Sequence, residues 1–248
     1  MSLKNLTKKN FEVINNLSDT WYLLDTGVSD GKFNMACDLF LLNSLIQGFI
    51  KFPVLRFYSW NKRTISLGFN QVIDKNLLSE DYSFVRRMTG GHAVFHGLCD
   101  EELTYSLVVR LDSGFKKLYF ELGDLLVLFL AQYGLKSDFG KSHENYKSYF
   151  NCFDSKGLSD LVISDVKIVG SAQLRRNKCV LQHGSIKLDK INILCGSKIT
   201  YDRAVLDLKK TFKENLNVNF LSYNLTEEDK QKINYNVDLL PSLTKEFK

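Results

Sequence analysis

Residues 86 to 97, RRMTGGHAVFHG, place two arginines, two adjacent glycines and two histidines within twelve positions. Three chemistries use such residues: phosphate cradling, metal ligation, and a backbone loop that closes over another kind of ligand. A Walker loop needs GxxxxGK followed by Ser or Thr, a dinucleotide loop needs GxGxxG, and the stretch has neither. A metal site built from His92, His96 and Cys99 fails on geometry. Strand residues four apart point the same way but stand about 13 Å apart, so no metal is expected. Gly90 and Gly91 either let the backbone approach a ligand and present N–H groups to it, or simply form a hairpin turn. His96 taken alone reads first as a hydrogen-bonded structural histidine.

Two further residue types could do chemistry. Lys167 sits in VKIVGSAQ between Val166 and Ile168. Burial there would lower its pKa and suit it to act as a base or to orient a carbonyl; a lysine at a strand edge facing water fits the same residues. The five cysteines (37, 99, 152, 179 and 195) form no CxxC pair, and their number is odd. This argues against a disulfide scaffold and for a reducing, cytoplasmic setting, with a thiol available for chemistry.

The elements that must position these residues belong to one domain. At 248 residues, 44% apolar and 25% charged, the chain matches a single soluble α/β unit with a substantial core. No apolar run reaches the roughly 18 residues of a membrane span, and MSLKNLTKKNFEVINN lacks the apolar stretch of a secretory signal. A formal charge of +5 is modest, and without an RNP, helix-turn-helix or zinc-finger pattern no nucleic-acid partner is expected. A monomer is the default.

Asn34 is expected to cap a helix running to about Ile50. VLRFYSW and TISLGF read as strands split by the turn-like NKR, followed by strands at FVRR, AVFH and LTYSLVV. A buried helix spans about Lys117 to Tyr133, with Gly134 as its stop. DLVI, VKIVGSAQLR and KCVLQHGSIKL follow as strands, the last two a hairpin around Arg176-Asn177-Lys178. A helix near Tyr201 to Asn215 comes next, and Thr226 caps a short polar one, TEEDKQKIN. Strands cluster instead of alternating with helices. The fold class is therefore α/β in the α+β sense: a mixed, largely antiparallel sheet flanked by helices.

WYLLDTG, NMACD, PVLRFYSW, ISLGFNQ, RRMTGGHAVFH, ELTYSLVV, KIVGSAQ and LQHGSI occur in this order over roughly residues 21 to 190. Together they resemble the lipoate-protein ligase and octanoyltransferase superfamily, which shares its catalytic fold with biotin protein ligases. The resemblance implies an N-terminal extension (1–20) and one catalytic domain (21–248). It also implies that the Arg-Arg-x-Thr-Gly-Gly loop and the lysine strand line an acyl pocket. On that basis the substrate-binding candidates are Arg87, Thr89, Gly90, Gly91, His92, Ala93 and His96 from the loop. From the strands they are Gly170, Ser171, Ala172, Gln173, His183, Gly184 and Ser185. Structural roles stay open for Gln173, His183 and Ser185. Burying seven methylenes of an octanoyl chain contributes about 5 to 6 kcal/mol, enough to supply most of an affinity.

Two chemistries share such a pocket. A ligase activates free lipoate with ATP and magnesium and needs no thiol. A transferase takes octanoyl from an acyl carrier protein thioester onto a cysteine, with no cofactor. Cys152, in NCFDS, lies 15 residues before Lys167 and resembles the nucleophile of the cysteine-type octanoyltransferases. Cys152 and Lys167 are accordingly the catalytic candidates. His92 stands where ligases usually carry a third glycine. Cys195-Gly196, after His183-Gly184, resembles the cysteine of another octanoyltransferase branch and is the rival nucleophile. Cys37 reads as core, and Cys99 and Cys179 as packed or turn residues. The implied donor is acyl carrier protein. The implied acceptor is a lipoyl-domain lysine, as in glycine-cleavage protein H or a 2-oxoacid dehydrogenase subunit. A lipoyl-domain amidotransferase and a catalytically silent acyl- or partner-binding member are the remaining alternatives.

Overall fold

Val54, Arg56, Tyr58 and Trp60 alternate with Leu55, Phe57 and Ser59, and all seven are buried. This is the mark of a strand covered on both faces. The computed structural model describes residues 11–72, 81–140 and 160–243. In chain order it contains α1 (Glu12–Asn15), β1 (Thr20–Ser29), α2 (Gly31–Gln47), β2 (Val54–Trp60), β3 (Thr64–Leu67), β4 (Ser83–Arg86), β5 (Val94–His96) and β6 (Glu102–Arg110). There follow α3 (Phe115–Ala131), β7 (Asp138–Phe139), β8 (Leu161–Ile163), β9 (Val166–Arg176), β10 (Cys179–Lys187), α4 (Leu188–Cys195), α5 (Tyr201–Asn215), β11 (Asn219–Ser222) and α6 (Glu227–Asp238).

The main sheet has the order β11-β1-β2-β6-β10-β9-β8-β7, and β4-β3-β5 form a separate small sheet. In the main sheet β1 pairs parallel with β11 and β2, and every other pairing is antiparallel. The expected mixed, largely antiparallel sheet is therefore present. α3 and α5 cover one face through a core that includes Trp21, Phe57, Leu107, Leu122 and Phe212. α2 and α6 cover the other through Leu41, Val54, Val108, Leu181 and Ile233. Phe11 and Ile14 join the first core, and both Glu121 carboxylate oxygens accept from Val13 and Ile14 N–H at 3.0 and 2.9 Å.

Local signals fix several boundaries. Asn177 and Lys178 alone join β9 to β10, both at positive φ (48° and 58°), the turn whose twist suits paired strands. Ser164 and Asp165 do the same between β8 and β9 (45° and 67°). Thr226 and Asp229 form a capping box on α6. The start of α2 differs from expectation. Asp30, not Asn34, is the cap, its Oδ1 accepting from Lys32 and Phe33 N–H at 2.9 and 3.0 Å. Asn34 lies inside the helix, where its amide donates to Ser59 O at 2.9 Å and accepts from Arg56 Nη2 at 2.9 Å. The NKR turn also sends the chain out of the main sheet. β3 opens the small sheet, which lies over the α2 side of β6, β10 and β9.

Candidate active site

The small sheet carries the Arg-Arg-x-Thr-Gly-Gly loop at the end of β4. Arg87 is buried and knots that loop to itself. Its Nη1 donates to Ser66 O at 2.7 Å, and its Nη2 donates to the carbonyls of Gly90 and His92 at 2.8 and 2.7 Å. Arg86 braces the underside, donating to the carbonyls of Gly68, Gln71, Ser242 and Leu243 at 2.6 to 2.7 Å. Gly68 lies so close beneath the loop that a Cβ there would sit 1.8 Å from Gly91 O. Gly91 itself has φ +93°, a conformation that favours glycine.

Two buried histidines tie the loop to the main sheet. The Nδ1 of His183 stands 3.0 Å from Asp38 Oδ2, and its Nε2 stands 2.7 Å from Thr89 Oγ1. Asp38 also meets Arg56 Nη1 at 2.6 Å, Tyr58 OH at 3.1 Å and Ser106 Oγ at 2.9 Å. Burial pushes the Asp38 carboxyl up, but Arg56 and then His183 outweigh it and hold it below the ordinary carboxylate range. An ionised Asp38 takes a donated N–H from the Nδ1 of His183.

His96 repeats the arrangement. Its Nδ1 lies 2.6 Å from Glu102 Oε1, its Nε2 lies 2.8 Å from Ser66 Oγ, and Trp60 stacks on its ring at 3.7 Å between centroids. Burial pulls the imidazole down to about 4 against the raising effect of Glu102, so it is neutral near pH 7. Lys187 pairs with the other Glu102 oxygen. Although burial raises the Glu102 carboxyl, Lys187 and His96 hold it low. Thr89 accepts from Arg87 Nε at 3.2 Å, and Arg87 also reaches Ser66 Oγ at 3.3 Å. One hydrogen-bonded chain therefore runs Arg56–Asp38–His183–Thr89–Arg87–Ser66–His96–Glu102–Lys187.

Between the loop and the main sheet lies a cavity open to solvent. Of the residues expected from the sequence, Arg87, Gly91, His96, Gly170, Ser171, Ala172, His183, Gly184 and Ser185 line it. Thr89, Gly90, His92 and Ala93 do not. Thr89 lies buried behind the loop on His183, Ala93 packs with Ile65 and Leu67 in the small sheet's core, and Gly90 and His92 supply carbonyls to Arg87. Gln173 also stands apart. Alternation along β9 turns it to the α3 side, where its amide donates to Phe115 O at 3.2 Å and to Gln182 Oε1 at 3.1 Å.

Lys167 is buried, not a solvent-facing edge lysine, and its Nζ lies 2.8 Å from Asp160 Oδ2, itself buried. Its charge reaches the loop. Burial first, then Lys167 and Arg87, hold the His92 imidazole below its usual value. Cys152 lies outside the described residues. Cys195 ends α4 and is not among the cavity residues; it packs against the core under α3 and α5. Burial pushes the Cys37 thiol up to about 12, in keeping with a core residue. Cys179 is buried at the start of β10, and Cys99 is partly exposed. Among the described residues no group of three or more His, Cys, Asp or Glu could hold a metal, and no helix is long and apolar enough to cross a membrane.

Sequence reasoning missed Asp38, Arg56, Tyr58 and Trp60 as site residues, although they stand in NMACD and RFYSW. Met35, Ser66, Glu102 and Thr104 were missed too, although they stand in NMACD, ISLGFNQ and ELTYSLVV; Lys187 lies just past LQHGSI and carried no such signal. Asp160 had one: the Ser164-Asp165 turn folds DLVI back on VKIVG.

Residues 30–200 match the family model described as the lipoyl protein ligase A/B catalytic domain. The chain is 39% identical over 184 residues to octanoyltransferase LipM of Moorella thermoacetica, covering 69% of this chain and 66% of that protein. It is 31% identical over 258 residues to octanoyltransferase LipM of Bacillus subtilis, covering 85% and 91%. In fold it is similar to a lipoate-protein ligase A bound with ATP, with a TM-score of 0.69 and 21% identity over 90% of this chain and 95% of that one. The bi-partite lipoate protein ligase of Thermoplasma acidophilum gives 0.67 and 21% over 89% and 93%. The four motifs that meet around Asp38, the loop they hold and the match across residues 30–200 agree: the chain belongs to the lipoyl protein ligase A/B catalytic domain family.

Proposed function

We propose that the protein is an octanoyltransferase of protein lipoylation that takes an octanoyl group from an acyl carrier protein thioester. The acceptor is the lysine of a lipoyl-domain protein, such as glycine-cleavage protein H or a 2-oxoacid dehydrogenase subunit. The observation that carries this reading is the cavity itself. It is lined by Met35, Tyr58 and Trp60, by Arg87 and Gly91 of the loop, and by β9, which also bears Lys167, paired with the buried Asp160. The relatives named octanoyltransferase LipM support the same chemistry.

In the proposed reaction Cys152 Sγ attacks the thioester carbonyl, and the bond to the carrier sulfur breaks, releasing the carrier as a thiol. Lys167, held in place by Asp160, supplies the positive charge that favours the cysteine thiolate and polarises the carbonyl. Backbone N–H groups at Gly170 to Ala172 or at Gly91, all of which line the cavity, stabilise the developing oxyanion. The loop shields the acyl-enzyme from water. The acceptor amine then attacks, the bond to Cys152 breaks, and the amine proton returns to the thiolate by way of Lys167. No ATP, magnesium or other cofactor enters.

The test is transfer from octanoyl-acyl carrier protein to a lipoyl domain, followed by acceptor mass without nucleotide. Lys167→Met is expected to slow transfer by at least about 100-fold, the usual effect of losing such electrostatic help. An absolute requirement for ATP with free octanoate or lipoate would overturn the transferase reading in favour of a ligase.

A further inference from the structure

Two hydrogen-bonded rows cross the four central strands on the side facing α2. In one, Ala172, His183, Ser106 and Arg56 stand in register beneath Asp38. The other, one step along, holds Gly170, Ser185, Thr104 and Tyr58. Its first three members are small, so the row forms a trough that ends against the Tyr58 ring. All four line the cavity. The ends of the trough differ in chemistry. At the β9 end the Ser185 hydroxyl is buried without a hydrogen-bond partner among the described residues, which calls for a polar group of a bound molecule. At the β2 end Tyr58, Trp60 and Met35 pack into one apolar cluster.

The length of the trough selects what fits. Three strand spacings separate β9 from β2, about 14 Å, and van der Waals contact with the terminal rings takes about 4 Å of that. A saturated chain with C–C bonds of about 1.5 Å advances about 1.25 Å per bond. Eight carbons therefore extend about 9 Å and ten carbons about 11 Å. The first fits and the second meets the end wall.

Two of the three end residues are pinned. The Trp60 indole N–H donates to Thr104 Oγ1 at 3.0 Å, and Tyr58 is held by Asp38 and lies 4.0 Å under the Arg56 guanidinium. Met35 is held by packing alone, in one cluster with apolar Val85 and with Leu240 packed against it. We propose that Met35 sets the acyl chain length, with the carbonyl end at Gly170 and Ser185 and the terminal methyl against the thioether. This inference rests on the acyl-transfer reading and names the residue that makes an eight-carbon chain the preferred one.

The experiment measures competing transfer of hexanoyl, octanoyl and decanoyl groups from their carrier-protein thioesters by the wild type, Met35→Ala and Met35→Phe, each checked for folding by circular dichroism. Met35→Ala is expected to raise the decanoyl-to-octanoyl ratio by about tenfold, the effect of two methylenes gaining an apolar home. Met35→Phe is expected to shift preference toward hexanoyl. Folded variants with the wild-type profile would overturn the assignment of Met35 while leaving the transferase reading intact. A wild type that transfers no chain of any length would overturn both.

Discussion

Asp38 of α2 and His183 of β10 stand 145 residues apart in the chain, yet their Oδ2 and Nδ1 atoms meet at 3.0 Å. That bond joins the helix motif NMACD to the strand motif LQHGSI. Through Thr89 it reaches the loop that roofs the cavity. The polar residues here lie between two apolar cores, where an unmatched charge is costly and a matched one fixes a single arrangement.

Removing Asp38 therefore has a definite consequence. Asp38→Ala leaves the fully buried Arg56 guanidinium without its counter-charge and is expected to destabilise the fold by about 3–5 kcal/mol. Asp38→Asn, which keeps the shape and part of the hydrogen bonding, is expected to cost less. Urea unfolding midpoints measure both. A loss near zero for Asp38→Ala would mean that the pair is not a structural anchor.

His96 gives the stability a pH signature. Its imidazole titrates near 6.5 when unfolded and about 4 when folded. Between those values the unfolded chain binds a proton that the folded chain refuses. The contribution is complete above pH 6.5 and is lost as pH falls toward 4, by up to about 3 kcal/mol. Glu102 and Asp38, carboxylates held low in the fold, add to the loss at still lower pH. Unfolding free energies at pH 7.5, 6 and 5 should fall steeply for the wild type and less for His96→Gln, where the depressed His92 imidazole still contributes. An equal slope in the variant would place the titrating group elsewhere.

Gly68 tests the loop without removing a polar group. An added Cβ would press on the Gly91 carbonyl, which is backbone and cannot rotate away. Gly68→Ala is expected to displace the Thr-Gly-Gly loop and lower the transfer rate by about 100-fold, as misplacements near 1 Å do. Rate and unfolding midpoint measured side by side check this. An unchanged rate in a folded variant would show that the loop does not position substrate.

What was legible in the sequence followed the range of the interaction. The β9–β10 hairpin, α5 and the Thr226 cap rest on neighbours in the chain, and their residues announced them. The α2 cap was ambiguous because Asp30 and Asn34 are both good caps. What decides it is the buried demand of Arg56 and Ser59 for the Asn34 amide, 22 and 25 residues away. The β3 segment read as a strand, but its departure into a second sheet depends on pairing with β4 and β5. The loop and the lysine strand were visible as motifs. Their meeting across a cavity whose far wall is Met35, Tyr58 and Trp60 was not, since no local pattern ties α2 to β9. Asp160 was within reach of a closer reading of the Ser164-Asp165 turn.

The most direct test of the account is the intact mass of the protein after mixing with octanoyl-acyl carrier protein in the absence of ATP. A gain of one octanoyl group is expected, labile to hydroxylamine, absent in Cys152→Ala and retained in Cys195→Ala. No adduct in the wild type, or an adduct that survives Cys152→Ala, would contradict it.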